Sequence, residues 1–434
     1  MEDLKILKKN FLLAKKKIFP LNRSITGNGT LNTLKIIKNK IPQLRIIKIK
    51  SNTNVFDWKV PPEWNISKAY ILDKNKKKIL DFKNNNLHIV GYSTSVNKFF
   101  SKRELFKRLH SLPNQTNAIP YVTSYYKKYW GFCLTESQKK EIKKKYYDSD
   151  KFKVVIKSQF NKRGNLNYGE LVVPGKSKQE ILISTYICHP SMANNELSGP
   201  IVSMTLAQYF LKIKNLKKTL RFIFIPETIG SISYLSKNLK KLKKDVIAGY
   251  NLSCIGDERM HSCMFSKYSN SISDKALKSA YKSLNINYKR YSFLKRGSDE
   301  RQFNSPGIDL PIASIFRTKY AEYPEYHTSL DDFKLVTTRG LMGGFKVAKK
   351  AINLILEQIY PKNKILCEPH MSKRKLYPTL SKKDTNYFSE SIMDFLQYAD
   401  GKNNINEISV LIKKNLKFTI NICNLLLKKK LIEI

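Results

Sequence analysis

Cysteine is scarce, with six residues in 434, irregularly placed and never as a C-x-x-C pair. Neither a disulfide framework nor a thiolate zinc site is indicated, and a reducing cytoplasm is the expected compartment. No apolar run approaches the ~20 residues of a membrane-spanning helix. The N-terminal MEDLKILKKNFLLAKKKIF mixes Lys with apolar residues at helical spacing and lacks the uninterrupted apolar core and small-residue cleavage site of an export signal. Membrane insertion is therefore not expected. Acidic residues are few as well: 34 Asp and Glu face 80 Lys and Arg, a formal net charge of +46. Such an excess attracts nucleic acid, anionic polysaccharide or a membrane surface. The excess here is Lys rather than Arg, runs through the whole chain and accompanies abundant Asn and Ile. Adenine- and thymine-rich codons supply all three, so compositional drift ranks ahead of a functional charge.

With 41% hydrophobic residues in 434, the chain can bury a sizeable core over two or three domains. Leu4 to Phe19 and Leu31 to Lys40 read as amphipathic helices, and Leu44 to Lys48 as a strand. Short extended pieces follow between Val55 and Phe82, a β-rich texture suited to an inserted subdomain. Phe152 to Phe160 and Gly169 to Val173 read as a hairpin turning at Arg163-Gly164-Asn165. Strands then alternate with helices from Ile181 to Gln358, which implies a mainly parallel sheet covered on both faces. A polar, Pro-containing stretch runs from Pro361 to about Asp384. Three helical segments (Phe388 to Tyr398, Ile405 to Lys413, Phe418 to Leu427) and the closing KKKLIEI then suggest a winged helix. Phe418 to Leu427 is mostly apolar and leaves few residues to read bases, so packing or dimerisation ranks ahead of DNA recognition.

ILISTYICHPSMANNELSGP, residues 181–200, carries the strongest chemical signal. Its apolar β-branched run reads as a strand buried on both faces, and His189 stands just past the strand end, where open α/β sheets place ligands. In FIFIPETIGS, Glu227 follows Pro226 at another strand end, where an acid calls for a partner or a task. YNLSCIGDE puts Ser253, Ile255 and Asp257 on one face, and the loop YAEYPEYHTSLDD carries His327. Two His and several carboxylates at strand ends are the ingredients of a catalytic zinc site with a nearby base.

The motifs RSITGNGT, DWKVPPEWNI, YICHPSMANNELSG, RGSDERQFNSPGIDLP and EYPEYHTSLDD resemble, over nearly the full length, those of bacterial aminopeptidase-like proteins often associated with surface-polysaccharide biosynthesis. The C-terminal two thirds is similar to co-catalytic zinc aminopeptidases. The resemblance implies a zinc aminopeptidase-like α/β domain in residues 1–50 and 145–362, an inserted β-rich subdomain in 51–144 and a winged helix in 370–434. It matches His189 and His327 to metal-binding imidazoles and Glu227 to the general base that takes a proton from the attacking water. Four positions depart from the pattern: Asn195, Thr228 and Ser253 stand where carboxylate ligands are kept, and Ser191 where an Asp buttresses the first His.

So depleted a set implies one zinc ion rather than two. Glu196 ranks ahead of Asp257 as the third ligand; a helix N-terminal acid and a salt bridge are their respective structural alternatives. Asn195, Asp299, Tyr323 and Glu325 are the candidate substrate-binding residues, with a Ser298-capped helix start as the alternative reading around Asp299. The expected substrate is a peptide or an amino-sugar amide. Nucleic acid ranks below it, and the winged helix offers a route to a homo-oligomer. A catalytically degraded scaffold of the same fold, or a winged-helix regulator, is the alternative function.

Overall fold

Residue-by-residue alternation in ILIS sends Ile181 and Ile183 into one core and Leu182 into another, which is why the run is apolar throughout. The first core is covered by the helices Glu2–Leu13, Ser198–Phe210, Ile272–Ser283 and Thr338–Glu357, the second by the helix Ile229–Asp245. Between them lies an eight-stranded sheet, seen in a computed structural model that describes residues 2–377 and 387–434. Its strands are β1 (Arg45–Lys50), β2 (Asn165–Val173), β3 (Ser177–Tyr186), β4 (Lys218–Ile225), β5 (Val246–Leu252), β6 (Ser262–Met264), β7 (Lys289–Tyr291) and β8 (Ile312–Phe316). They lie in the order β1-β2-β4-β3-β5-β8-β6-β7. The central four, β4, β3, β5 and β8, are parallel, and β2 and β6 join them antiparallel. This is the mixed, mainly parallel sheet expected. Gly199 lets the Ser198–Phe210 helix come in close: a Cβ there would sit 2.2 Å from the Leu252 carbonyl oxygen.

The expected hairpin does not form. Lys151–Asn161 pairs with Glu63–Leu72 and Val96–Ser101 in a separate antiparallel sheet that also holds Lys78–Asp81, whereas β2 pairs with β1 and β4. The turn before Asn165 carries the chain from one sheet to the other. Gly164 is needed there, because its Cβ would lie 2.2 Å from that of Glu63. The small sheet thus takes one of its two central strands from beyond residue 144. A two-residue period marks strands but not their partners.

The C-terminal helices Tyr387–Tyr398, Ile405–Leu411 and Leu416–Lys428 enclose their own core, which includes Phe395, Ile408, Ile422 and Leu426. The closing strand Ile432–Glu433 pairs antiparallel with Lys362–Asn363, ahead of the expected start at residue 370. Of the polar linker, 378–386 lies outside the described residues. Among the described residues no helix is long and apolar enough to cross a membrane.

Candidate active site

The parallel strands deliver their loops to one end of the sheet. Beyond β3, Ile187 and Cys188 lead to His189; beyond β4, Pro226 precedes Glu227; beyond β8 the chain reaches the loop of His327. His189 is buried, and its two ring nitrogens face two different acids. Nδ1 lies 2.6 Å from Glu196 Oε2, and Nε2 lies 3.5 Å from Glu227 Oε2. Burial disfavours a charged ring, yet the neighbouring Cys188 and Glu196 prevail and raise the His189 pKa. Arg23, the first residue of RSITGNGT, is fully buried and donates from Nη2 to the His189 carbonyl at 2.6 Å. No pattern in the sequence joins Arg23 to His189.

Asn195 and Glu196 lie in a wide helical turn, Ala193–Leu197, that precedes the Ser198–Phe210 helix. Its free amides are gathered by Asp331, which accepts from Ala193 N and Asn194 N through Oδ1 and from Asn195 N through Oδ2. Tyr323 also donates to Asp331 Oδ2, at 3.0 Å. Burial nevertheless pushes the Asp331 carboxyl up to about 6. Asp331 was not a candidate from the sequence, since nothing local marks an acid that closes a turn 136 residues away. Glu196 is bound to an imidazole rather than left as a dipole-stabilising helix acid. Asp331→Ala is expected to lower unfolding free energy by about 1.5–3 kcal/mol, the range for hydrogen bonds to a charged group. Urea denaturation measures it; a loss within the ~0.5 kcal/mol of an ordinary surface change would exclude the clamp.

Glu227 is aimed by a strained neighbour. Thr228 has φ 61° and ψ −79°, which a β-branched residue adopts only under constraint. Asp299 supplies it, accepting from Thr228 N and Ser231 Oγ through Oδ1, each at 2.8 Å. Asp299 therefore holds the start of the Ile229–Asp245 helix, and the expected Ser298 cap does not form. Burial raises the Glu227 pKa despite His189, and burial together with Glu227 pushes Asp299 up to about 8.

The other candidates separate. Asp257 accepts from Asn194 Nδ2, Thr318 N, Thr318 Oγ1 and Arg259 N, so neutral donors occupy both its oxygens, and it forms no salt bridge among the described residues. Tyr323 is buried beneath the loop rather than at its mouth. Glu325 is held outward by both Nη atoms of Arg259, at 2.7 and 2.8 Å. Tyr326 stacks on His327, with centroids 3.9 Å apart. Burial, then His189, lowers the His327 pKa to about 3, which keeps the imidazole neutral. The His189 and His327 rings lie 5.4 Å apart, and Tyr121, from the segment that links strands of the small sheet, sits edge-on to both at 5.2 Å. Backbone hydrogen bonds from Tyr121 N to His327 O and from Ser329 N to Ile119 O hold it there.

A strand-end His, a strand-end Glu and a loop His over a mixed sheet, followed by a winged helix, define an aminopeptidase-like fold with a C-terminal winged-helix domain. The chain belongs to the family described as "Domain of unknown function (DUF4910)", whose model matches residues 12–358, and a winged helix-turn-helix model matches 358–434. A Clostridium acetobutylicum protein named "Putative polysaccharide biosynthesis protein with aminopeptidase-like domain" is 40% identical over 395 residues, covering 91% of this chain and 89% of that one. A crystal structure described as a "putative peptidase" from the same organism aligns with TM-score 0.79 and 36% identity, over 99% of this chain and 97% of that one. The zinc aminopeptidase of Bacillus subtilis shares the fold at TM-score 0.60 and 12% identity, over 81% and 94% of the two chains. The resemblance carried by the motifs is thus borne out.

Proposed function

We propose that the chain is a zinc-dependent amide hydrolase of the aminopeptidase type, acting on a peptide or an amino-sugar amide. The observation that carries this reading is Nε2 of His189 turned toward Glu227 while Nδ1 is held by Glu196. A carboxylate on one nitrogen fixes the tautomer and leaves the other for a metal, whose binding would release the proton that the raised His189 pKa otherwise retains. Glu196 orients His189 through Oε2, in the place of the buttress that Ser191 lacks, and its Oε1, buried without a hydrogen-bond partner among the described residues, leaves it the expected third ligand.

His189 through Nε2, His327, neutral at ordinary pH, and an acid, Glu196 first, would hold one zinc ion, and Asn195, Thr228 and Ser253 provide no carboxylates for a second. Zinc bound there would supply Lewis acidity, activating a water and polarising an amide carbonyl. Glu227 takes the proton of the attacking water at its carboxylate and returns it to the leaving amine. Tyr121 closes over the imidazoles and limits the water that reaches them. The relative's name supports a place in polysaccharide biosynthesis.

The missing carboxylates favour a second reading, a scaffold of the same fold without turnover. Zinc analysis of purified protein, beside hydrolysis of a panel of aminoacyl nitroanilides and N-acylated amino sugars, separates the two. About one zinc per chain with turnover of any member is the expected result; zinc-free protein without turnover sinks the hydrolase.

A further inference from the structure

At the opposite end of the sheet from His189 lies a cleft of about 960 Å³ between the α/β domain and the winged helix. Its walls include Ser177, the first residue of β3, and Asp245-Val246 at the start of β5, together with Gly401, Asn403 and Ile434 from the C-terminal domain. The ten residues of β3 span about 30 Å, so the cleft is independent of the catalytic centre.

Charge in the cleft is one-sided. Eight lysines and four acids line it. Three of the acids are already engaged: Asp245 with Lys241, Asp309 with Lys267, and Asp400 with the amides of Lys402 and Asn403. Lys176, Lys178, Lys243, Lys244, Lys362 and Lys402 are exposed and form no ion pair among the described residues. They come from separate stretches of chain and converge on one concavity, which a uniformly lysine-rich surface does not require. A second groove of about 920 Å³ shares Lys176, Lys178 and Lys244 and adds Lys237 and Lys240, so the basic track continues along the sheet end. One aromatic ring, Tyr268, stands 75% exposed in the cleft with Lys267 Nζ 4.8 Å from its centroid.

We propose that this cleft binds single-stranded nucleic acid, the lysines following its phosphates and Tyr268 stacking on a base. A phosphodiester strand brings one charge and one flat ring per unit, which matches a basic track with an exposed aromatic. A duplex, with its bases inside, would leave Tyr268 without a partner. The site does not use the exposed face of the Leu416–Lys428 helix and does not depend on hydrolase activity.

The test uses the full-length protein and a fluorescein-labelled oligothymidylate, with anisotropy titrations over a range of salt. One variant neutralises the cleft (K176Q/K178Q/K362Q/K402Q). A control removes the same charge from an exposed helix elsewhere (K140Q/K143Q/K144Q/K145Q), and thermal melts verify that both fold. The cleft variant is expected to bind at least about tenfold more weakly at low salt, with the slope of log K against log salt flattened by about 0.7 for each phosphate no longer neutralised. The control keeps the native slope, and Tyr268→Ala weakens binding without changing it. Equal losses in cleft and control variants would assign binding to diffuse charge and overturn the proposal. So would an acidic polysaccharide that outcompetes the oligonucleotide, or a duplex bound more tightly and released on neutralising Lys417 and Lys428.

Discussion

Glu227→Gln is expected to lower kcat/KM by about 10²–10⁴, the usual contribution of a positioned general base, while zinc content and melting temperature stay near those of the native chain. The amide keeps the size of the carboxylate, so the Thr228 turn held by Asp299 is left intact. It cannot accept the proton of an attacking water. His189→Ala is the contrasting case, losing turnover and metal together because it removes the imidazole that Glu196 orients. Steady-state kinetics with metal analysis on both variants distinguishes them. If Glu227→Gln retained native turnover, another group would be the base, and Asp299, buried beside it and pushed up to about 8, would be the first alternative.

The largest stability effect is expected at Arg221, in the middle of β4. Its guanidinium meets both oxygens of Glu180, at 2.6 and 2.7 Å, and Glu170 at 2.5 Å; Arg45 and Tyr234 also contact Glu170, and Lys241 also reaches Glu180. Arg221, Glu180 and Glu170 are all buried. Arg221→Ala leaves two buried carboxylates short of their shared cation, which costs about 3–5 kcal/mol. Adding E170Q and E180Q to R221A is expected to recover part of that loss, because the penalty comes from uncompensated charge rather than from the missing attraction. Urea midpoints for the single and triple variants give the comparison. A loss below about 1 kcal/mol for the single variant would make the network an ordinary surface pair.

The central strands and the helices from Ile181 onward were legible because burial on both faces writes a continuous apolar run, as in ILIS and FIFI, and burial on one face writes a helical period. The strands β6 and β7 toward one edge of the sheet, three residues each, are too short to write either and were not expected. The positions of His189, Glu227 and His327 were legible for a related reason: polar residues just past apolar strands stand out, and motif resemblance pointed to the same three. Arg221 was hidden within its apolar strand, since a single charge amid apolar neighbours does not disturb the pattern.

The amino-acid sequence by itself determined the central strands of the sheet, the helices that cover them, and which strand ends would carry titratable groups. These are local properties, set by side-chain type and spacing. Tertiary structure alone decided that Lys151–Asn161 leaves β2 for the small sheet, that Glu196 turns to Nδ1 of His189, that Asp331 closes the turn beneath it, and that Tyr121 lies between the imidazoles. Each of those contacts joins elements that the fold brings together across the molecule. Their geometry follows from how the cores pack and which buried groups must find partners, and no local window of sequence contains that information.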